Sequence, residues 1–220
     1  MNVLDESFLP AEKEGLSEEF QMDYASKRDW RARLEKSRAA GLGFAAPGGE
    51  FTRALFEVVA SGLADDFKSL LRGQRVVELG AGMMPYGYAL SSICGAKNYL
   101  GVEPFYADVL ACSIVEFVSA PSAFPRIPYK VVEKDMLIHL QKEADELVSV
   151  LACGIENCIL PDCAYKEKVE REIFRVLHPG GVFVSSHSDL DPKELHVAEK
   201  WFRRLSNPSV QDRVRIYRKG

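Results

Sequence analysis

The chain has 220 residues, 47% apolar and 27% charged, and its 28 basic and 32 acidic side chains leave a net charge of −4. This composition excludes a mostly disordered chain, and the length suffices to bury a core without disulfide or metal staples. It also excludes binding to nucleic acid or an anionic membrane through a general positive field, and no apolar run approaches the roughly 18 residues of a membrane span.

The N-terminus is acidic where a signal peptide would be basic, and the five cysteines, at 94, 112, 153, 158 and 163, are odd in number and scattered. Both features predict a cytoplasmic protein with reduced thiols. Cys153, Cys158 and Cys163 stand five apart with no histidine beside them. Zinc ligand pairs are spaced more tightly, so no metal is predicted.

Two regions are predicted: a helical segment over 1–72 packed on a core over 73–220. In the first, Ser17 with Glu18 and Glu19 suits a helix start, and Gly41 and Gly43 suit its end. Lys27, Arg28, Arg31, Arg33, Lys36 and Arg38 bias this helix to the basic side. That face can meet an acidic substrate or be a solvated helix surface. After Pro47-Gly48-Gly49, the residues Phe51, Ala54, Leu55, Val58, Val59 and Leu63 form the apolar stripe of a second helix.

From Arg75 the rhythm changes to short apolar runs at 75–79, 98–102, 129–132, 147–153 and 182–186. Helical stretches separate them near 86–94, 105–119, 163–177 and 192–205, with one more turn at 135–140. Strands that alternate with helices require right-handed crossovers, so the fold class is α/β, a doubly wound, mostly parallel sheet. The alternating segment 212–218 reads as a half-exposed edge strand.

The first of these strands enters a glycine turn, Val76-Val-Glu-Leu-Gly-Ala-Gly-Met-Met-Pro85. Gly80 and Gly82 permit a sharp turn and close backbone approach, and in doubly wound sheets ligands sit at such carboxyl ends. Two glycines also suit a turn that binds nothing. Three acids add to the signal: Glu78 in an apolar strand, where an unpaired carboxylate is costly to bury, Glu103 closing the second strand, and Asp135 closing the third. Glu103 stands near the offset at which a carboxylate takes a ribose diol in dinucleotide folds.

With these residues in order, the sequence resembles a class I S-adenosylmethionine-dependent methyltransferase. Glu78-Leu-Gly-Ala-Gly82 is similar to that family's first motif, and Arg171-Glu-Ile-Phe-Arg-Val-Leu-His-Pro-Gly-Gly-Val-Phe-Val184 to its helix, turn and fifth strand. The resemblance covers about 72 to 190. It implies S-adenosylmethionine as cofactor, held by Glu78, Gly80, Ala81, Gly82, Glu103, Pro104, Asp135, Met136 and Cys153. Glu103 would take the ribose hydroxyls, and Asp135 with Met136 the adenine. The implied reaction is methyl transfer to an oxygen, nitrogen or carbon of a small-molecule acceptor, without membrane or nucleic acid. Pro85 departs from the family's third glycine, and the last strands are incomplete: either the sheet is a strand short or 206–211 hides one.

Two other readings stay open. A nicotinamide-dependent reductase wants a glycine where Pro85 stands and an apolar residue where Glu78 lies. A non-catalytic domain would keep the fold and serve as a binding partner. For catalysis the candidates are His187 and Glu156. His187, at the end of the fifth strand, can take a proton from an acceptor or simply be a polar strand end. Glu156 and Asn157 follow the fourth strand and can face the acceptor or cap a loop. His178 reads as a turn residue, and His139 and His196 read as exposed on helices.

Overall fold

The computed structural model describes residues 12–13, 49–62, 64–121, 124–155, 160, 162–197 and 214–220, and in it the alternating runs form an α/β sheet. The strands are β1 Glu12–Lys13, β2 Arg75–Leu79, β3 Asn98–Val102, β4 Tyr129–Glu133, β5 Ser149–Cys153, β6 Val182–Ser186, β7 His196–Val197 and β8 Val214–Arg218. The helices are α1 Gly49–Ala60, α2 Asp65–Leu71, α3 Tyr86–Ile93, α4 Ala107–Ser119, α5 Met136–Lys142 and α6 Cys163–Val176. No helix among the described residues is long and apolar enough to cross a membrane.

The strand order is β1-β4-β3-β2-β5-β6-β8-β7, parallel from β1 to β6, with β8 reversed between β6 and β7. The chain winds outward from β2 through β3 to β4, then restarts on the other side at β5. The order therefore reverses between β2 and β5, where an α/β sheet opens a crevice at its carboxyl end. Alternate side chains of each strand enter opposite layers. Val76, Leu151, Val184 and Ile216 pack against α1, α2 and α3, and Tyr99 and Val131 against α3 and α4. Val77, Val150, Phe183 and Tyr217 pack against α5 and α6 on the other face. Strands β5 and β6 are buried along their whole length, as continuous apolar strands between two helical layers should be.

Several expectations change. The segment 1–72 is not helical throughout: Glu12–Lys13 adds a parallel strand beside Val132 and Glu133. The helix foreseen between Ser17 and Gly41 lies outside the described residues, as do Leu63 and the segment 206–211. The missing strand comes instead from His196–Val197, inside the stretch read as a helix from 192 to 205, and pairs with Arg218 and Tyr217. His196 is thus a strand residue.

Strand β8 is interior, not an edge. Its alternation arises because Arg215 reaches out to the carbonyl of Ser188 and to Asp191, while Val214, Ile216 and Tyr217 are buried. Strand β5 starts at Ser149 rather than Leu147, which is 51% exposed and precedes a single bridge from Val148 to Leu177. His139 is buried, not exposed, with Nε2 3.4 Å from Glu143 Oε2.

Candidate functional site at the carboxyl rim

The loop after β2 turns on two glycines in the left-handed region, Gly80 at φ +60° and Gly82 at φ +70°. Side chains other than glycine are strained there. A Cβ on Gly80 would also lie 2.4 Å from Ile155 Cδ1, so the side chain of Ile155 rests on the turn. The amide of Ala81 donates to the carbonyl of Val102 at 3.2 Å, tying the loop to the end of β3.

Glu103 stands where that strand ends and turns its carboxylate onto the loop. It accepts from the Gly82 amide at 2.9 Å, from Phe105 at 2.9 Å and from Tyr106 at 3.3 Å. It is 4% exposed, and the buried Pro104 directs the chain from it into α4. Its carboxylate oxygens offer about four acceptor positions, and backbone amides already take three of them.

Glu78 lies beneath the loop rather than in it. Its carboxyl group points toward α1 and α3, accepting from Tyr99 Oη at 2.5 Å and from Thr52 Oγ1 at 3.4 Å. Gly87 is the residue of α3 that permits this, because a Cβ there would sit 1.7 Å from Glu78 Oε2. Burial pushes the carboxyl up to about 7, the two hydroxyl donors oppose that rise, and the charge of Glu103 adds to it. Cys153, at the end of β5, is buried beside the same group, and its thiol is pushed up to about 12, chiefly by burial and then by Glu78. Cys153 packs there as a small buried residue.

Asp135 is fully buried and caps α5, accepting from the Ile138 amide at 2.9 Å, while its other oxygen accepts from Tyr165 Oη at 2.6 Å. Met136 packs in the core on the α5 and α6 face. The structure thus brings Gly80, Ala81, Gly82, Glu103 and Pro104 together at the rim. It sets Glu78 and Cys153 directly beneath them and commits the Asp135 side chain to the helix cap.

On the β6 side, Gly154 donates to the carbonyl of Ser186 at 2.8 Å, and Asp189 to that of Ile155 at 2.7 Å. Between these bonds stands His187 at φ +48°, a left-handed conformation that is uncommon for a side-chain-bearing residue. Its ring stacks on Phe51 of α1 with centroids 3.9 Å apart and an interplanar angle of 17°, and its Nδ1 is 3.3 Å from Ser186 Oγ. Glu156 and Asn157 lie outside the described residues. His178 stays in its turn, with Nδ1 2.7 Å from the carbonyl of Pro179.

Sequence reasoning missed Thr52, Tyr99, Gly87 and Ile155. One of them left a signal: Thr52, Leu55 and Val59 repeat at helical spacing and are the buried line of α1. A hydroxyl on that line needs partners, and Glu78 is one of them.

A cleft of about 440 Å³ opens elsewhere, at the amino ends of β2, β3 and β4, lined in part by Arg75, Asn98, Tyr129, Lys130, His139 and Glu143. The glycine turn, the acid and the topological reversal coincide at the carboxyl rim and not at this cleft.

No family model and no curated protein matches the sequence. Among solved structures, the chain is similar to a protein of Escherichia coli named as a methyltransferase, yhhF: 14% identity, 74% of this chain, 85% of that one, TM-score 0.49. It is similar to MtNAS in complex with MTA and tNA: 19% identity, 74% of this chain, 59% of that one, TM-score 0.44. It is also similar to a SAM-dependent methyltransferase of Archaeoglobus fulgidus: 16% identity, 59% of this chain, 51% of that one, TM-score 0.41. The chain spans less than two thirds of the latter two. Its own topology carries the fold assignment: a doubly wound, mostly parallel α/β sheet with β8 reversed.

Proposed function

We propose that the chain binds S-adenosylmethionine at the Gly80 turn and transfers its methyl group to an oxygen, nitrogen or carbon of a small-molecule acceptor. The observation that carries this reading is Glu103, a carboxylate held against the Gly82 amide at the switch point of the sheet. The donor set fits a nucleoside without phosphate: backbone amides, one rim carboxylate, and no lysine from Glu78 to Pro85. A ribose hydroxyl at Glu103 would replace its longest contact, that with Tyr106 at 3.3 Å. Ile155 must swing off Gly80, a movement of the far end of a flexible side chain.

When bound, the cofactor supplies a methyl group already activated by a sulfonium. The protein then has to align the acceptor and exclude water, which Phe51 and His187 would do from the α1 side. A general base is optional, and His187 and Glu156 are the candidates for it.

Stability against heat provides the test. S-adenosylmethionine or S-adenosylhomocysteine raises the melting temperature by mass action, and NADH does not. Glu103→Ala weakens S-adenosylhomocysteine binding in calorimetry by about 1–3 kcal/mol, the range for lost hydrogen bonds to a charged group. Protection by NADH alone would establish the reductase reading. One observation favours a domain that keeps the fold without the cofactor: protein groups already engage the oxygens of both Asp135 and Glu103. No protection by any of the three ligands would establish that reading.

A further inference from the structure

The cleft at the amino ends of β2, β3 and β4 shares no lining residue with the glycine turn, and its volume of about 440 Å³ lies in the range of small-molecule sites. Two elements build its walls, each by its own period. Along β4 and one residue past it, Lys130, Val132 and Lys134 line the cleft at a spacing of two, so one face of the strand carries both lysines. On α5, His139, Lys142 and Glu143 line it at spacings of three and four, so they share one side of the helix. With Arg75 from β2, four cationic side chains stand on these walls against a single acid, in a chain whose net charge is −4. That acid, Glu143, is gripped by Arg75 through two bonds, at 2.5 and 3.0 Å. The other charges on the walls are the ammonium groups of Lys130, Lys134 and Lys142. Lys134 is only 3% exposed although it borders the cleft. His139, 8% exposed, keeps a buried Nε2 with no hydrogen-bond partner among the described residues.

We propose that this cleft is a second ligand site, for a small molecule that carries two or more negative charges on phosphate or carboxylate groups. The site goes beyond the reading given under Proposed function and does not depend on it. A concave surface lined by one sign of charge focuses the field and concentrates ions of the other sign, here against the sign of the chain as a whole. An ammonium group meets phosphate or carboxylate oxygens as a point charge with charge-assisted hydrogen bonds. Lys130 and Lys134 supply such groups from the sheet and Lys142 supplies one from the helix, so the ligand is met from two walls by three like charges. That number matches a multivalent anion. Asn98, at the start of β3, adds an amide that can donate to an oxygen of the same ligand. The single acid does not repel it strongly, because the Arg75 guanidinium lies on its carboxylate.

Histidine NMR on the full chain tests this and locates the binding, because His139 is one of only four histidines. His139→Gln assigns its imidazole signal, and His178, in the turn before β6, is the reference. Pyrophosphate and citrate are the two probes, with sodium chloride at matched ionic strength as the control. At least one probe moves the His139 signal along a saturating curve and leaves that of His178 in place, while sodium chloride moves neither. A response to pyrophosphate alone assigns the site to phosphates, a response to citrate alone to carboxylates, and a response to both to multivalent anions of either kind. Reversing two charges, with Lys130→Glu and Lys142→Glu together, weakens the binding about tenfold or more, as the loss of hydrogen bonds to a charged group does. Lys142 is exposed, so Lys142→Glu alone serves if the double variant does not fold. A His139 signal that neither probe moves, an equal shift with sodium chloride, or unchanged affinity in the lysine variant overturns the proposal.

Discussion

At the carboxyl end of the sheet, Glu78 meets two hydroxyls and the backbone of a glycine, whereas at the amino end Glu143 meets a guanidinium and an imidazole. Arg75 grips Glu143 with two bonds, at 2.5 and 3.0 Å, and His139 adds a contact at 3.4 Å. The same kind of side chain is therefore driven in opposite directions. Burial pushes Glu78 up to about 7, while the imidazole of His139 close by, followed by Arg75, holds Glu143 down at about 2 against the effect of burial. The acid at the amino end already has a cationic partner, Arg75, and serves to fasten α5 to β2. The acid at the carboxyl end meets only neutral donors among the described residues.

The contrast breaks most severely at Gly87. An alanine there puts a methyl carbon 1.7 Å from Glu78 Oε2, and neither the helix backbone nor a carboxylate wedged under Tyr99 can give that much. The expected loss is about 3 kcal/mol or more, at or beyond the usual range for overpacking. Urea unfolding measures it. A midpoint within error of wild type would mean that Glu78 can leave its niche, and the loop would lose its buried acid. Gly62, where nothing lies within 4 Å of an added Cβ, is the control for a glycine that constrains only the backbone.

The next effect sharpens the comparison through pH. Glu78 has a raised value in the folded chain, so its contribution is fully present below about 4.5 and is lost as pH rises through about 7. Glu143 has a lowered value, so its contribution is present above about 4.5 and is lost as pH falls through about 2. Glu78→Gln should therefore gain on wild type by about 2–3 kcal/mol between pH 5 and pH 8. Glu143→Gln should lose about 1–2 kcal/mol at pH 7, for two hydrogen bonds to a charged partner, and converge on wild type in acid. Denaturant midpoints across this range decide the matter. Parallel curves for the two variants would erase the distinction between the ends of the sheet.

The sheet and the glycine turn were legible because apolar runs and Gly80 with Gly82 are local signals, readable within five or ten residues. The partners of Glu78 were not, because Thr52 and Tyr99 lie 26 and 21 positions away in the chain and meet the acid only when three elements pack. The two-residue strands Glu12–Lys13 and His196–Val197 are too short to show a period of two, so only their pairing reveals them. Asp135 was legible as an acid at a strand end. The buried tyrosine that takes its second oxygen comes from α6, with no mark in the sequence near Asp135.

The smallest effect concerns Thr52, the link between α1 and the acid. Its bond to Glu78 is long, at 3.4 Å, and Tyr99 makes the shorter one. Thr52→Val keeps the shape of a residue that is 4% exposed and removes the hydroxyl that meets both Glu78 and the Cys153 thiol. A hydrogen bond to the charged form favours that form, so the loss should depend on the state of Glu78. We expect under about 0.5 kcal/mol at pH 5.5, where Glu78 is protonated, and about 1 kcal/mol at pH 8, where it is ionised. Urea midpoints at the two pH values give the difference. Equal losses at both would assign Thr52 to packing alone, leaving Tyr99 as the sole side-chain donor that answers to the charge beneath the loop.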